Sequence, residues 1–256
     1  MTPKVGTLVV GNEILLGRTR DTNTLFLIDV LLKRGLRLSR WTIVPDRKED
    51  ISSQLKIMID EKFDLIIVAG GMGPTHDDIT VNAVADALKL DLSHDGKTHD
   101  RLMEKWNRKY PGRKLPRSSE RGIMKMSNIP EGFSPLNNDR GMAEGLIGTR
   151  KDTTMVIVPG VPAEYKAVIG GDEFPGFLPA SDPDDQNIRE IPFKGKESQV
   201  SDLLLKLQND FPVLDIGSYP QGPMMVVIRI TGRKERVEEA FRSVEDRLKE
   251  IEKQNL

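Results

Sequence analysis

The run Gly70-Gly71-Met72-Gly73-Pro74-Thr75, followed by Asp77-Asp78, is where residue type and spacing most directly suggest chemistry. Glycines allow positive φ and let the backbone approach a ligand closely. Successive N–H groups can then line a concave anion site, and a helix start just beyond adds partial positive charge. Thr75 contributes a hydroxyl donor, and His76 lies within the segment. Adjacent carboxylates suit a hard divalent cation shared with a ligand's phosphates. The same residues also fit a tight strand-to-helix turn whose acids favour the helix dipole. The segment matches neither the dinucleotide fingerprint nor the P-loop, which carries a Lys near its end.

A second polar set lies earlier, at Asn12-Glu13, Arg18 and Asp21-Thr22-Asn23. Glu13 follows an apolar run and has no evident structural duty, so it is a candidate metal ligand or general base. Asp21 reads first as a helix cap. Arg18 suits a phosphate partner and equally an ordinary solvated cation. His94 and His99 show no metal-ligand spacing, and no Ser-His-Asp arrangement can be argued.

Positioning these residues requires strands that end just before them. Val5 to Val10 is a short apolar run that reads as a buried strand, ended by Gly11. A helix capped at Asp21 or Thr22 follows, with Leu25, Ile28, Leu31 and Leu32 expected on one face and Gly35 closing it. Leu38 to Val44 is a second strand, stopped at Pro45-Asp46. Ile51, Leu55, Met58 and Ile59 mark the next helix, and Asp64 to Ala69 is the clearest strand. A helix from about 79 to 89 follows the glycine run. This β-α-β-α-β-α order predicts a parallel sheet, and ligands bind beyond the carboxyl ends of such strands. Every polar cluster named above then falls on one rim. Further helix is expected over 95 to 126, interrupted by Pro111 and Pro116, and strands at Leu146-Ile147 and Met155 to Val158.

The acidic, Pro-containing stretch Pro179 to Gln186 reads as a linker between a first domain over 1–180 and a second over 187–256. Ile188 to Phe193, Ser198 to Asp210, Val213 to Tyr219, Met224 to Ile230 and Val237 to Ile251 give a small β-α-β-β-α unit. The formal net charge of −1 supplies no global pull toward nucleic acid or anionic lipid. The absence of Cys excludes disulfides and thiolate metal sites. No apolar run approaches a membrane span, and the start reads as no signal peptide, so a cytoplasmic protein is expected.

GNEILLGRTRDTN, AGGMGPTHDDIT and PGVPAE together resemble the N-terminal domain of the CinA family, a branch of the molybdopterin-binding, MoaB/Mog-like superfamily. The tail is similar to the small KH-like domain that follows in CinA, without the GXXG loop by which KH domains clamp RNA. Longer members carry a nicotinamide-nucleotide deamidase domain with no counterpart in these 256 residues, so deamidation is not expected. The resemblance implies a mostly parallel sheet sandwiched by helices, with a second, smaller α+β domain. For this branch it also implies metal-dependent ADP-ribose pyrophosphatase activity. Gly70, Gly71, Gly73, Pro74 and Thr75 would cradle phosphate. Asp77 and Asp78 match the acidic pair, and Asn12, Glu13, Asp21 and Asn23 match the first-loop polar set. Asn12 stands where the family commonly has Asp, and Ala69 where Thr is usual. Asn138 to Gly145 fits only loosely the family loop Pro-Asn-Pro-x-Gly-Thr-Ala-Pro-Gly.

The function expected on these grounds is hydrolysis of a nucleoside diphosphate sugar. Glu13, Asp77 and Asp78 would be catalytic, with Mg²⁺, Mn²⁺ or Co²⁺ held at Asp77 and Asp78. One alternative is binding or adenylylation of molybdopterin or a related pterin. The other is a non-catalytic interaction module. The expected partners are a small nucleotide or pterin and further copies of the chain, with neither nucleic acid nor membrane.

Overall fold

The computed structural model describes residues 3–181, 184 and 187–254. The chain splits into two compact units, one of residues 1–31 and 37–180, the other of residues 32–36 and 181–256. Four residues of the expected linker, 182, 183, 185 and 186, lie outside the described residues.

The first unit is built on a sheet. Its elements begin β1 Val5–Val10, α1 Asn12–Leu15, α2 Asn23–Leu32, β2 Leu38–Val44, α3 Lys48–Asp60, β3 Leu65–Ala69 and α4 Thr80–Leu88. They continue with β4 Leu92–His94, α5 Gly96–Lys109, α6 Arg117–Met126, β5 Asn128–Pro130, β6 Ser134–Leu136, β7 Gly145–Arg150, β8 Thr153–Val158 and α7 Pro162–Ile169. The strand order is β2-β1-β3-β8-β7-β6, and β4 pairs separately with β5. β2, β1, β3 and β8 are mutually parallel, whereas β7 and β6 add antiparallel at the far edge.

Every residue of β1 and β3 is buried. That is the pattern of strands covered on both faces, and it explains why they read as largely apolar runs, with Thr7 the one polar residue among them. Leu8, Val10, Ile66, Val68, Met155 and Ile157 share one core with Ile51, Leu55 and Met58 of α3 and with Ala83, Val84 and Leu88 of α4. Side chains alternate across a strand, so Val9, Leu65, Ile67 and Val156 face the other way, and they too are buried. Elsewhere in this unit α2 meets α7. The Phe26 ring lies where a Cβ on Gly170 would sit 3.3 Å from it, and Lys166 stands 5.6 Å above the same ring.

The sequence-based face of α2 needs correction. Leu27 and Leu31 are buried, but Leu25 is 54% exposed and Leu32 49% exposed. The helix reads NTLFLIDVLL, apolar on nearly every side, so spacing alone did not select the buried stripe. The three-residue strands β4, β5 and β6 were also not foreseen. Gly35 does close the α2 region with φ +67.

The second unit carries β9 Asn187–Phe193, a one-turn helix Glu197–Gln199, α8 Ser201–Asp210, β10 Asp215–Gly222, β11 Met225–Gly232 and α9 Lys234–Gln254. The antiparallel order β10-β11-β9 places the longest-range pairing, β9 with β11, at one edge. Val226, Ile228 and Ile230 alternate into a core with Phe193, Val200, Leu207, Val237 and Val244. Among the described residues, no helix is long and apolar enough to cross a membrane.

Leu27→Ala is expected to destabilise the protein by about 2–5 kcal/mol, the usual range for emptying a fully buried leucine site. Leu25→Ala should stay within about 0.5 kcal/mol of wild type. Urea unfolding of both variants checks the assignment of the buried stripe.

Candidate phosphate-binding site

The carboxyl ends of the parallel strands meet in one rim. Order 2-1-3 puts the topological switch between β1 and β3, where ligands bind in open α/β sheets. The turns leaving these strands are tied to one another. Gly11 N–H donates to Val44 O at 3.1 Å, and Gly70 N–H to Val158 O at 2.9 Å. Asn12 N–H donates to Asp46 Oδ2 at 2.8 Å, and Asn23 Nδ2 to Gly160 O at 2.8 Å.

Gly70 and Gly71 leave β3 with φ +102 and +61. A Cβ on Gly70 would stand 2.3 Å from Val10 O, and one on Gly71 would stand 2.4 Å from Thr80 Oγ1. Glycine is therefore required at both, by conformation and by space. Thr80 N–H donates to Gly71 O at 3.0 Å, locking the turn to the start of α4. The N–H groups of Gly71, Met72 and Gly73 have no hydrogen-bond partner among the described residues. The Thr80 hydroxyl beside them is buried and equally without a partner.

The second half of the turn is braced. Thr75 donates to Asp78 Oδ2 through its N–H at 2.9 Å and its hydroxyl at 2.5 Å. Asp78 N–H returns to Thr75 O at 3.3 Å, and Lys125 Nζ also donates to that oxygen. Pro74 packs where a Cβ on Gly122 would sit 2.6 Å away, so α6 abuts the turn. Asp77 is exposed. Its carboxyl is held below the ordinary range first by the nearby Thr75 hydroxyl, for whose proton it competes with Asp78, and then by its own backbone N–H, His76 and Lys125.

A cavity of about 150 Å³ opens beside the free amides, lined by Gly71, Met72, Gly73, Asp78, Asn82, Lys125, Asn128 and Glu144 together with apolar Val81, Leu92, Met126 and Leu146. Free amides, an ammonium and a helix start favour an anion, and they act against two carboxylates in the same lining, Asp78 and Glu144.

Residues 6–170 match the family described as a probable molybdopterin binding domain. The chain belongs to that family. Residues 187–255 match the middle domain of FAD synthase. The crystal structure of CinA from Thermoplasma acidophilum, a protein of unknown function, is 32% identical with a TM-score of 0.60, covering 69% of this chain and 99% of that one. An Aeropyrum pernix protein is 32% identical over 243 residues, 93% of this chain and 88% of its own length. A Metallosphaera sedula protein is 35% identical over 164 residues, which is 63% of this chain and 59% of its own length. The chain thus spans under two thirds of that relative and is CinA-like in sequence and fold.

Of the expected site residues, the structure brings together Gly70, Gly71, Gly73, Pro74, Thr75 and Asp78. The first-loop set lies apart from this cavity. Glu13 is exposed, and its carboxylate folds back to within 2.7 Å of where a Cβ on Gly11 would be. Asn12 is exposed, with its amide on Asp46. Asp21 caps α2, accepting from Asn23 N–H and Thr24 N–H, each at 3.0 Å, and from the Thr24 hydroxyl at 2.6 Å. Asn23 is buried, and its Oδ1 has no partner among the described residues. The Tyr165 hydroxyl is also buried without a partner among the described residues, and burial, reinforced by the charge of Asp21, pushes its pKa up. Among the described residues, no three acidic or His side chains converge as a metal cluster.

Sequence reasoning missed Lys125, Asn82, Asn128 and the network behind Glu144. Glu144 is buried and pairs with Lys105 at 2.9 Å. Its Oε2 accepts from Asn138 N–H at 2.9 Å. Asn138, fully buried, donates to Ala143 O at 2.7 Å and to Glu164 Oε2 at 2.8 Å, and its carbonyl accepts from Lys105 at 2.6 Å. A Glu beside Ala-Gly in a loop was the one available signal, and its partners lie too far along the chain to be inferred.

Removing one member of a buried pair leaves an uncompensated charge. Glu144→Leu is expected to cost about 3 kcal/mol. Adding Lys105→Met should restore most of that loss. A double-mutant cycle by urea unfolding measures this, and a double variant no better than the single one would show that the pair is not what holds the loop.

Proposed function

We propose that the protein binds an anionic pterin of the molybdopterin class, seating the phosphate on the turn after β3. The observation that carries this is the row of amides without a partner among the described residues at Gly71, Met72 and Gly73, three residues that line a cavity together with Lys125. Backbone donors that line a cavity without a protein partner are open to a ligand's acceptor oxygens. The pterin ring would lie between Met72, Leu92, Met126 and Leu146. Asn82, Asn128 and Glu144 would present polar atoms to its edge. Family membership supports the ligand class.

A second reading keeps the same phosphate seat and adds hydrolysis of a nucleoside diphosphate sugar such as ADP-ribose. Asp78 favours it. Its Oδ1 has no partner among the described residues, and Asp78 lines the cavity. A divalent cation is often held by one carboxylate together with the ligand's own phosphate oxygens. Asp78 fits that mode, and the ion would supply charge neutralisation there. Glu13 and Asp77 border neither this cavity nor the cleft on the outer side of the turn, so the base this reading needs has less support. The pterin reading therefore ranks first.

Thermal denaturation with molybdopterin, its adenylylated form and ADP-ribose, with and without Mg²⁺, tests the ranking. A ligand that binds only the native state at 100 times its Kd adds about 2.7 kcal/mol. The expected result is a raised Tm with molybdopterin that Gly71→Ala abolishes. A Tm indifferent to both pterins, with ADP-ribose consumed in the presence of Mg²⁺, would replace the first reading by the second.

A further inference from the structure

We infer that the tip of the hairpin formed by α5 and α6 is a contact surface for double-stranded nucleic acid, one that holds the phosphate backbone and reads no sequence. This goes beyond the proposed function and does not depend on what is seated at the turn after β3.

Residues 96–125 carry ten Lys and Arg against three Asp and Glu. The whole chain sums to −1, so the hairpin is a strongly basic element beside an acidic remainder. The expectation of no pull toward nucleic acid therefore holds for the sum and not for this face. From 105 to 119 there are six cations and no acid. Lys105 is engaged with Glu144. The other five, Arg108, Lys109, Arg113, Lys114 and Arg117, are exposed and make no ion pair with a carboxylate among the described residues. Asp139 and Glu173 share a groove with Arg108 and Lys109 and set the inner limit of the surface.

The scaffold beneath these cations is defined. α5 ends at Lys109 and α6 begins at Arg117. Pro111 and Pro116 flank the connection, and Gly112 turns it with φ +71. The Trp106 and Tyr110 rings meet at 4.3 Å, and Lys109 and Arg113 stand over the Tyr110 ring at 5.6 and 5.9 Å. Cations that neutralise phosphates release condensed counterions, so such binding depends on their number at one place and not on the exact placement of any one side chain. Single-strand binding draws on open aromatic faces for stacking. Tyr110 is half-buried with Trp106 and two cations against its ring, which favours a duplex backbone. No large apolar side chain of residues 105–119 is exposed, so the tip lacks the wedge by which a basic helix enters a lipid surface.

Fluorescence anisotropy with a labelled, mixed-sequence DNA duplex, repeated over a range of salt, tests this. Five contacted phosphates predict that log K falls against log salt with a slope of about −4.5. Arg108→Gln/Lys114→Gln/Arg117→Gln leaves the contacts of Tyr110 in place and should bring the slope to about −2, since each lost phosphate contact removes about one. Arg20→Gln/Arg150→Gln/Lys151→Gln changes three exposed cations elsewhere and should keep the wild-type slope. Circular dichroism will show that both variants fold. No duplex binding at low salt, a slope that the hairpin variant leaves unchanged, or equal weakening in both variants overturns the inference. Binding to phosphatidylserine vesicles through the same cations, in place of the duplex, assigns the tip to a membrane and overturns it as well.

Discussion

The close approach of Gly70 to the Val10 carbonyl is the constraint on which the rest depends. Two parallel strands end side by side, and the chain leaving β3 must turn within one residue of β1. Only a residue without Cβ passes there, and it passes with positive φ. That geometry turns the following amides away from the sheet ladder, where strand pairing can no longer satisfy them. Thr80, at the start of α4, takes the Gly71 carbonyl but leaves the N–H groups of the turn open. An anion-binding surface thus arises from strand packing before any side chain is considered.

Side chains then complete the site from three directions. Asp78 braces Thr75 and faces the cavity from the turn itself. Lys125 comes from α6, which is seated by the contact of Gly122 with Pro74. Glu144 comes from the loop before β7 and is held there by Lys105 and Asn138. An isolated carboxylate buried to this degree would be costly, and the pairing with Lys105 offsets that cost. The loop that departs most from the family pattern is therefore an ordered wall of the cavity.

Much of this frame was legible in the residues. The largely apolar runs at 5–10 and 65–69, each ended by glycine, announced buried parallel strands and the rim beyond them. Asp21 was legible as a cap because a short acceptor before an apolar helix has one dominant use. Other features were not, for physical reasons. α2 is apolar nearly all round, so only packing shows that Leu27, and not Leu25, is inside. Strands of three residues carry too little alternation to be recognised. Lys125 is 50 residues from the Thr75 carbonyl it reaches, and Lys105 is 33 from that of Asn138. Contacts at such separations are made by tertiary folding and leave no local pattern. Glu13 shows the converse case, since a polar residue after a strand looked chemical but lies exposed and apart from both clefts.

The central claim is that the backbone of the turn after β3, and not a cluster of side chains, recognises the ligand's negative charge. The most direct measurement is a ¹⁵N–¹H correlation spectrum of the protein titrated with inorganic phosphate. The account predicts that the amides of Gly71, Met72 and Gly73 move together and saturate with one affinity, as expected for N–H groups gaining an acceptor. Phosphate binding that shifts surface lysine and arginine neighbours and leaves these amides where they were would contradict it.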